Sequence, residues 1–267
     1  MLISKRNSVE DEITPFLVRT GDSETNPVLS LIVPTYNEGQ NVFELLNRIE
    51  TLLISINFEI IIVDDNSPDG TSSIVENINR KYGNIKVYKR SGKLGLSSAI
   101  LDGFDRATGN FLAVIDADLQ HPPEVLLKMC SKISEGYDLV VASRYIDGGR
   151  IEGWELHRVL ISKMATLLTH TLFPESRKVE DVMSGCFMIK RRVLIGTELN
   201  PIGFKILFEI LAKCKIKKVA EIPYTFTNRR NGKSNLTPKE MRNFLVHFCR
   251  LFFKLNSSRH SLKHVLV

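Results

Sequence analysis

The chain has 267 residues, of which 43% are hydrophobic and 25% are charged, and its formal net charge at pH 7 is +6. These values are typical of a globular protein with one large domain or one domain and an appendage, and they argue against a disordered chain. The basic balance indicates an anionic partner: nucleic acid, a phosphorylated small molecule or an anionic membrane surface.

The N-terminal segment, residues 1–27, carries charges of both signs and has no apolar stretch of signal-peptide length, so we expect a flexible arm there. No uninterrupted apolar run approaches the ~20 residues of a bilayer-spanning helix, which predicts a protein without a transmembrane domain. The four cysteines form no CxxC pair. Their scatter argues against a zinc site or a disulfide framework and favours a reduced, cytosolic setting.

The first two thirds of the chain alternate buried-strand patterns with helical patterns. Apolar runs predict strands at 28–34, 58–65, 84–90, 110–118 and 137–145, and apolar residues at helical spacing predict helices at 38–53, 71–82, 95–107 and 122–134. Continuous Val/Ile/Leu runs separated by helices are typical of a mostly parallel sheet with helices on both faces. The sequence therefore predicts an α/β fold with one domain over residues 28–235.

The final third is less regular and ends in amphipathic helices. Patterns predict a helix at 153–173, a turn and strand at 181–192, a helix at 203–215, a strand at 217–226, a basic loop at 228–235 and a helix from about Thr237 to Leu255. In that last helix Asn243, His247, Arg250 and Lys254 fall on one narrow face, and apolar side chains cover the rest. Such a pattern favours a helix at a membrane interface or on a membrane subunit, and the alternative is a helix docked on the protein's own core.

Two carboxylates stand one residue apart at the end of the fourth predicted strand, in the sequence "FLAVIDADLQHPPE". Side chains two apart in an extended chain point the same way, so Asp116 and Asp118 face one spot, which Gln120 can also reach. Hard oxygen ligands suit Mg²⁺ or Mn²⁺. The simpler alternative is a strand-end turn in which an aspartate caps the next helix.

Other strand ends add polar and aromatic groups at the same predicted edge, because ligands of such sheets bind outside the carboxyl ends of the strands. Tyr36, in "PTYNE", can stack on a base, and Glu38 can accept hydrogen bonds from it. Asp64 and Asp65 finish the second strand, so one of the two faces the crevice. Each motif alone is weak, and "DDNSPDGT" reads equally well as a turn; together, in this order, they indicate a nucleotide site.

These segments resemble a known family. "LIVPTYNE", "IIVDDNSPDGT", "GLSSAILDGF", "FLAVIDADLQHPPE" and "VVASRY" are similar to the family 2 glycosyltransferases of the GT-A (Rossmann-like) fold, and most of all to dolichyl-phosphate (polyprenyl-phosphate) mannose synthases. The resemblance continues through "DVMSGCF", "GFKILFEIL" and "FTNRRNGKSNL" and covers about residues 28–240.

The resemblance implies inverting transfer of mannose from GDP-mannose to dolichyl (polyprenyl) phosphate. It places Pro34, Tyr36, Glu38, Val63 and Asp65 at the guanosine; Asp116, Asp118 and Gln120 at the metal, with Ala117 in backbone contact; and Arg144, Lys205 and Arg229 at the diphosphate and acceptor phosphate, with Ser234 in the same basic loop. Two positions depart from the family pattern: Asn235 replaces the usual Lys, a loss for which Arg230 or Lys233 can substitute, and Cys186 stands where the family has Phe.

The expected mechanism needs no general base, because a phosphate monoester with a second pKa of ~6 arrives already ionised. Loss of the Asp118 side chain in Asp118→Ala is expected to abolish transfer, whereas no single histidine is expected to be essential. Expected partners are a membrane surface, on its cytoplasmic face, and a small membrane subunit. Nucleic acid is disfavoured, since no basic stripe interleaved with aromatics is present.

Two alternatives remain at this point. A UDP-sugar such as UDP-glucose is an alternative donor, because base selection depends on a few crevice contacts. The alternative from another functional class is a catalytically silent nucleotide-sugar-binding subunit.

Overall fold

The structure is a computed structural model that describes residues 28–229 and 238–265, and of 238–240 and 256–265 only the backbone. Its strands are β1 (Leu29–Thr35), β2 (Phe58–Asp64), β3 (Ile85–Lys89), β4 (Phe111–Val114), β5 (Leu139–Ser143), β6 (Arg150–Ile151), β7 (Phe187–Lys190), β8 (Val219–Pro223) and β9 (Thr225–Phe226). Its helices are α1 (Val42–Leu52), α2 (Thr71–Tyr82), α3 (Leu96–Arg106), α4 (Val125–Ser134), α5 (Leu156–Leu172), α6 (Arg191–Leu194), α7 (Ile206–Lys213) and α8 (Pro238–Val265), with a 3-10 turn at Pro174–Lys178.

Seven strands form one sheet in the order β3-β2-β1-β4-β7-β5-β8. All neighbours pair in parallel except β7, which lies antiparallel between β4 and β5. The mostly parallel sheet predicted from the apolar runs is confirmed. Insertion of β7 was not predicted, because it requires a pairing between segments about 45 to 75 residues apart that periodicity does not report.

Helices cover both faces of this sheet, and the alternation of side chains along each strand separates two cores. Leu31 and Val33 of β1 pack in a cluster with α1, α2 and α4, whereas Ile32 packs on the opposite face with α3 and α7. Strands buried on both faces require the continuous apolar runs seen in the sequence. The predicted α/β fold, with helices on both faces of a mostly parallel sheet, is therefore confirmed.

The strand that leads to the aspartate pair is shorter than predicted. β4 ends at Val114, and Asp116 and Asp118 lie in the following turn, where Leu119 has a φ of 60°. A positive φ is uncommon for a residue with a Cβ and marks a chain held in place by its surroundings. The turn, rather than the pleat of a strand, brings the acidic side chains together.

The C-terminal helix α8 docks on the protein through an aromatic cluster. Phe248 and Leu251 are buried against Phe173, at the end of α5, and Phe208, in α7. The rings of Phe208 and Phe248 stack with centroids 5.6 Å apart. This face of the helix therefore belongs to the protein's own core, as one of the two alternatives required.

One residue of the predicted polar face of α8 is in fact buried. His247 Nε2 lies 3.4 Å from Glu209 Oε2, and both side chains are almost fully enclosed. Burial lowers the pKa of His247, and the nearby Glu209 carboxylate offsets this only in part. The helix sequence alone could not show this, since the buried carboxylate is on α7. No helix among the described residues is long and apolar enough to cross a membrane.

Candidate active site

The turn after β4 gathers three potential metal ligands. Asp116, Asp118 and His121 each offer one ligand atom, and these three atoms lie within 4.8 Å of one another. Oδ1 of Asp116 is buried and has no hydrogen-bond partner among the described residues. An orphaned carboxylate oxygen beside a second carboxylate is the donor set that Mg²⁺ or Mn²⁺ accepts, so the residues fit the predicted ion.

The electrostatics of the turn point the same way. Burial and the neighbouring Asp118 charge raise the pKa of Asp116 above the usual range, although Lys205 and Arg229 oppose this effect. Burial also raises the pKa of Asp118, against the opposing charge of Arg229. Two ionised carboxylates this close repel each other, and a cation between them offsets that repulsion.

Sequence reasoning missed His121, because no metal-ligand spacing among the histidines was apparent. Its ring packs against Tyr224, with centroids 5.2 Å apart, and edge-on against Phe226. Burial, aided by Arg144 and Lys205, lowers the pKa of His121 to about 3, so its imidazole is neutral. The signal available was its place three residues after Asp118, within "DADLQH".

Arg229 connects two of the predicted metal ligands. Its Nη2 lies 2.7 Å from Asp118 Oδ2, and its Nε donates to Gln120 Oε1 at 3.1 Å. Gln120 Nε2 donates in turn to the carbonyl of Thr227, which fixes the amide with its oxygen towards Arg229. The predicted residues Arg230, Lys233, Ser234 and Asn235 lie outside the described part of the chain.

Arg144 follows β5 and is almost fully buried. Its Nε and Nη2 donate to Oδ2 and Oδ1 of Asp181, each at 2.7 Å, and its backbone N–H donates to Oδ2 at 3.0 Å. The guanidinium also lies 5.2 Å from the centre of the Trp154 ring and 5.4 Å from that of Phe226. This pairing raises the pKa of Arg144 against the effect of burial, so the side chain stays cationic.

Lys205 and a further arginine complete a cationic group. Lys205 Nζ donates to the carbonyl of Met183 at 2.5 Å, and burial together with Arg144 lowers its pKa to about 8. Arg158, not predicted, lies 4.2 Å from the centre of the Trp154 ring. Burial, followed by repulsion from Arg229 and Arg144, lowers the pKa of Arg158. Mutual repulsion of this kind is relieved when a phosphate binds among the cations.

The predicted nucleotide residues line the ends of β1 and β2. Pro34 pairs with Val63 in the sheet, and Tyr36 stands just beyond β1. Lys93 Nζ lies 3.8 Å from the centre of the Tyr36 ring. Burial, and secondarily the Asp118 charge, raises the pKa of Glu38 although Asn41 donates to its carboxylate. The Glu38 carboxylate therefore interacts electrostatically with the acidic turn.

Asp65 has both oxygens occupied by protein donors. Arg90 Nη1 lies 2.6 Å from Oδ1, and the backbone N–H of Gly95 donates to Oδ2 at 2.8 Å. The contact ties the end of β2 to the start of α3. Asp64 is also satisfied internally, by Thr35 and Ser67.

A glycine allows the acidic turn to approach β7. A Cβ placed on Gly185 would lie 2.7 Å from Asp116 Oδ2 and 3.4 Å from His121 Cε1. Only glycine leaves Asp116 its observed position, so the "SGC" segment packs directly against the acidic turn. Ala117, between the two aspartates, is buried.

Known proteins resemble this chain in sequence over most of its length. The model of the family described as "Glycosyl transferase family 2" matches residues 30–196. A dolichol-phosphate mannosyltransferase from Pyrococcus furiosus is 46% identical over 84% of this chain and 63% of its own length. A dolichol-phosphate mannosyltransferase from Saccharomyces cerevisiae is 34% identical over 86% of this chain and 89% of its own length. The chain thus spans less than two thirds of the Pyrococcus relative.

Solved structures share the fold at low identity. A mannosyltransferase from Pyrobaculum calidifontis in complex with GDP-Man and Mn²⁺ has a TM-score of 0.53 at 15% identity, covering 87% of this chain and 65% of the other. Mannosyl-3-phosphoglycerate synthase from Rubrobacter xylanophilus has a TM-score of 0.62 at 18% identity, covering 88% and 75%. The predicted GT-A fold and the resemblance read from the motifs are both confirmed, and the chain belongs to glycosyl transferase family 2.

Proposed function

We propose that this protein transfers mannose from GDP-mannose to dolichyl phosphate, or a related polyprenyl phosphate, with inversion at the sugar carbon. One observation carries the proposal: a buried acidic turn, Asp116 and Asp118, lies beside the cationic side chains of Arg144, Lys205 and Arg229. Carboxylates for a metal next to cations for phosphates suit a reaction with a nucleotide diphosphate leaving group and an anionic acceptor. The name of the Pyrococcus relative, a dolichol-phosphate mannosyltransferase, supports mannose as the sugar and dolichyl phosphate as the acceptor.

The donor nucleotide would lie over the ends of β1 and β2. Pro34 and Val63 pair with each other at these strand ends, and Tyr36 offers a ring face on which a base can stack. Glu38, with its raised pKa, is an acceptor for base or ribose donors. Asp65 would support this nucleotide site by accepting hydrogen bonds from Arg90 and from the Gly95 N–H.

Asp116, Asp118 and Gln120 would hold Mg²⁺ or Mn²⁺. When bound, the ion neutralises charge that collects on the diphosphate leaving group. His121 supports this side of the site as a neutral imidazole in contact with the Asp116 carboxylate, 3.6 Å from Oδ2.

The remaining side chains position charge rather than move protons. Arg144, Lys205 and Arg229 would bind the diphosphate and the acceptor phosphate, and Arg158 stands close enough to Arg144 and Arg229 to lower its own pKa. The acceptor oxygen is already anionic near neutral pH, so the chain need supply no base for its attack. Orientation and neutralisation of charge would supply most of the rate enhancement.

The route by which the protein meets a lipid acceptor is suggested by α5. Its outer face exposes large apolar side chains, with Leu156 88% and Leu167 67% accessible, and Leu160 and Met164 between them. The helix starts beside Trp154 and Arg158, next to Arg144. We propose that α5, with exposed Leu245, Val246 and Phe253 of α8, contacts the cytoplasmic face of a membrane or a small membrane subunit.

This proposal divides the chain into a catalytic domain at residues 28–235 and a contact segment at 236–267. The contact segment is only partly free, because Phe248 and Leu251 already pack on α5 and α7. Exposed α8 positions are those available to a lipid or a subunit. The predicted arm at residues 1–27 lies outside the described residues.

The test of the activity is incubation with labelled GDP-mannose or UDP-glucose, dolichyl phosphate, and Mg²⁺ or Mn²⁺, followed by extraction of labelled lipid. We expect label in the lipid from GDP-mannose only. Transfer from UDP-glucose instead would replace the donor, and nucleotide binding without transfer would favour a silent binding subunit. A protein that neither binds nor transfers these donors contradicts the proposal.

The membrane contact is tested by flotation with vesicles of phosphatidylcholine and phosphatidylserine. We expect Leu160→Gln/Met164→Gln to reduce flotation, because both side chains lie on the exposed face of α5. Ile54→Gln is the matched control, since Ile54 is 66% exposed but follows α1, away from the site. Equal flotation of all three proteins would rule out α5 as the contact.

A further inference from the structure

We propose that Asp181 is a positioning residue that holds the Arg144 guanidinium in the orientation needed for the proposed transfer. This inference rests on the proposed function for its kinetic part only. Asp181 is 0% exposed and lies between the 3-10 turn and β7. It begins the "DVMSGC" segment, and the sequence alone assigns it no role.

The pair has a geometry that fixes a guanidinium along one edge. Two parallel N–H donors of Arg144 meet the two oxygens of Asp181, each at 2.7 Å, and the Arg144 backbone N–H meets Oδ2 at 3.0 Å. A bidentate, charge-assisted pair of this kind sets both the position and the plane of the guanidinium. Because Arg144 donates three hydrogen bonds to the Asp181 carboxylate, a change of the Arg144 rotamer would break at least one of these bonds.

Aromatic rings confine the guanidinium further. The Arg144 guanidinium carbon lies 5.3, 5.2 and 5.4 Å from the centres of the Tyr145, Trp154 and Phe226 rings. With Nε and Nη2 committed to Asp181, Nη1 is the nitrogen for which the structure records no bond to a described residue. The donors of Nη1 are therefore the ones presented to a ligand phosphate.

Asp181 is itself held rigidly by its neighbours. Its backbone N–H donates to Glu221 Oε1 at 3.2 Å, and the N–H of Glu180 donates to Glu221 Oε2 at 2.8 Å. Glu221 belongs to β8, which pairs with β5, the strand that precedes Arg144. The carboxylate and the guanidinium are thus fixed to neighbouring strands of one sheet.

The pair also explains how a site with several cations folds before a phosphate arrives. The Asp181 charge opposes the effects that lower the pKa of both Lys205 and His121. It neutralises Arg144 without removing its free donors. Asp181 therefore acts through Arg144 on orientation, and through its charge on the surrounding cations.

The experiment is a double-mutant cycle of Asp181→Asn and Arg144→Gln, scored by kcat/KM for mannosyl transfer. We expect Asp181→Asn alone to lower kcat/KM about 10- to 100-fold, as loss of a supporting contact to a binding group does. In the Arg144→Gln background the same change should lower it less than about threefold, since residues that act as a unit are not additive. Equal losses in both backgrounds would overturn the proposal.

Folding is separated from positioning by a matched control and by the double variant. Asp138→Asn removes another buried, ion-paired carboxylate, at the opposite end of β5 and away from the site. It should lower the melting temperature and leave kcat/KM within about threefold, as a change remote from the ligands does. Arg144→Gln alone leaves Asp181 charged and unpaired, whereas the double variant removes both charges and should melt higher.

A spectroscopic measurement keeps the inference independent of the proposed reaction. In protein labelled with ¹⁵N-arginine, the Arg144 Nε–H should give a slowly exchanging NMR signal that Asp181→Asn removes and Asp138→Asn retains. If wild-type protein transfers no sugar but shows this behaviour, the proposed function fails and the positioning holds. A rapidly exchanging Arg144 Nε–H in wild-type protein overturns the positioning.

Discussion

Buried carboxylates at the two ends of the sheet differ in how they are satisfied. At the amino end, burial alone would raise the pKa of Glu59, but donors on Lys86, Ser30 and Thr108 lower it below the usual range. At the carboxyl end, burial and Asp118 raise the pKa of Asp116, and nearby cations do not compensate. Donors within the protein therefore stabilise the charged form of Glu59, whereas they do not do so for Asp116.

The difference indicates which end of the sheet is suited to binding a ligand. Asp138, also at the amino end, has its pKa lowered by the N–H groups of Lys218 and Lys217 and by Arg192, against the effect of burial. Such groups stabilise the fold as they stand. In the acidic turn, Arg229 lies 2.7 Å from Asp118 Oδ2, but the pKa values of Asp116 and Asp118 are still raised, so the turn is better suited to binding a cation than to stabilising the fold.

The largest expected effect is that of removing one charge from the acidic turn. Asp118→Asn should lower transfer by at least about 10²-fold while the protein stays folded, because the metal ligand is lost but the side-chain volume is kept. Activity assays with saturating Mn²⁺, together with circular dichroism, measure this. Near-wild-type activity would show that transfer does not need the Asp118 charge, and that the acidic turn at the carboxyl end has no special role.

Crowding the same turn should come next. Gly185→Ala places a Cβ 2.7 Å from Asp116 Oδ2, and a ~1 Å displacement of a site group can cost ~10²-fold in rate. Mn²⁺ affinity measured by electron paramagnetic resonance should fall with activity. Gly103→Ala, whose Cβ would meet Ile32 at 2.5 Å in the core, is the control and should lower stability while leaving Mn²⁺ affinity unchanged.

A smaller effect is expected from pH. The pKa of Lys205 is lowered to about 8, chiefly by burial, so its charge is lost as the pH rises through that value. If the ammonium binds phosphate, kcat/KM should fall about tenfold per pH unit above it, since kcat/KM reports the free enzyme. Lys205→Arg stays cationic and should flatten this alkaline limb. If kcat/KM of Lys205→Arg still falls at alkaline pH, the fall is caused by the titration of another side chain.

The smallest expected effect on activity comes from the amino end. Glu59→Gln should reduce the free energy of unfolding by about 1–3 kcal/mol, because donors that meet the carboxylate lose part of their acceptor. Transfer should change less than about threefold. In wild-type protein this stabilisation is present above the normal glutamate pKa and is lost as the pH falls through the lowered value, so Glu59→Gln should flatten the acid side of a stability profile.

How much of this could be read from the sequence depends on the range of the contact involved. Strands β1 to β5, the helices between them, and the gathering of Asp116 and Asp118 at one edge follow from local apolar patterns and from the rules of parallel sheets. The sequence could not show the antiparallel β7, since its partners are distant in the chain.

The site itself was predicted in part. Asp116, Asp118, Gln120 and Arg229 do come together. His121 and Arg158 were missed because their proximity depends on how the turn after β4 and the start of α5 pack on aromatic side chains. The sequence does not show that Arg90 and the Gly95 N–H donate hydrogen bonds to the two carboxylate oxygens of Asp65.

The central claim is that the acidic turn binds a divalent cation, and thermal unfolding at pH 8 tests it most directly. Both carboxylates are ionised in the unfolded chain at this pH, so their raised folded pKa values make the charge destabilising in the fold. Asp116→Asn should therefore melt higher than wild type in EDTA. Mn²⁺ with GDP should raise the melting temperature of wild type and leave Asp116→Asn unchanged. A lower melting temperature for Asp116→Asn in EDTA, with equal Mn²⁺ shifts in both proteins, would contradict the claim.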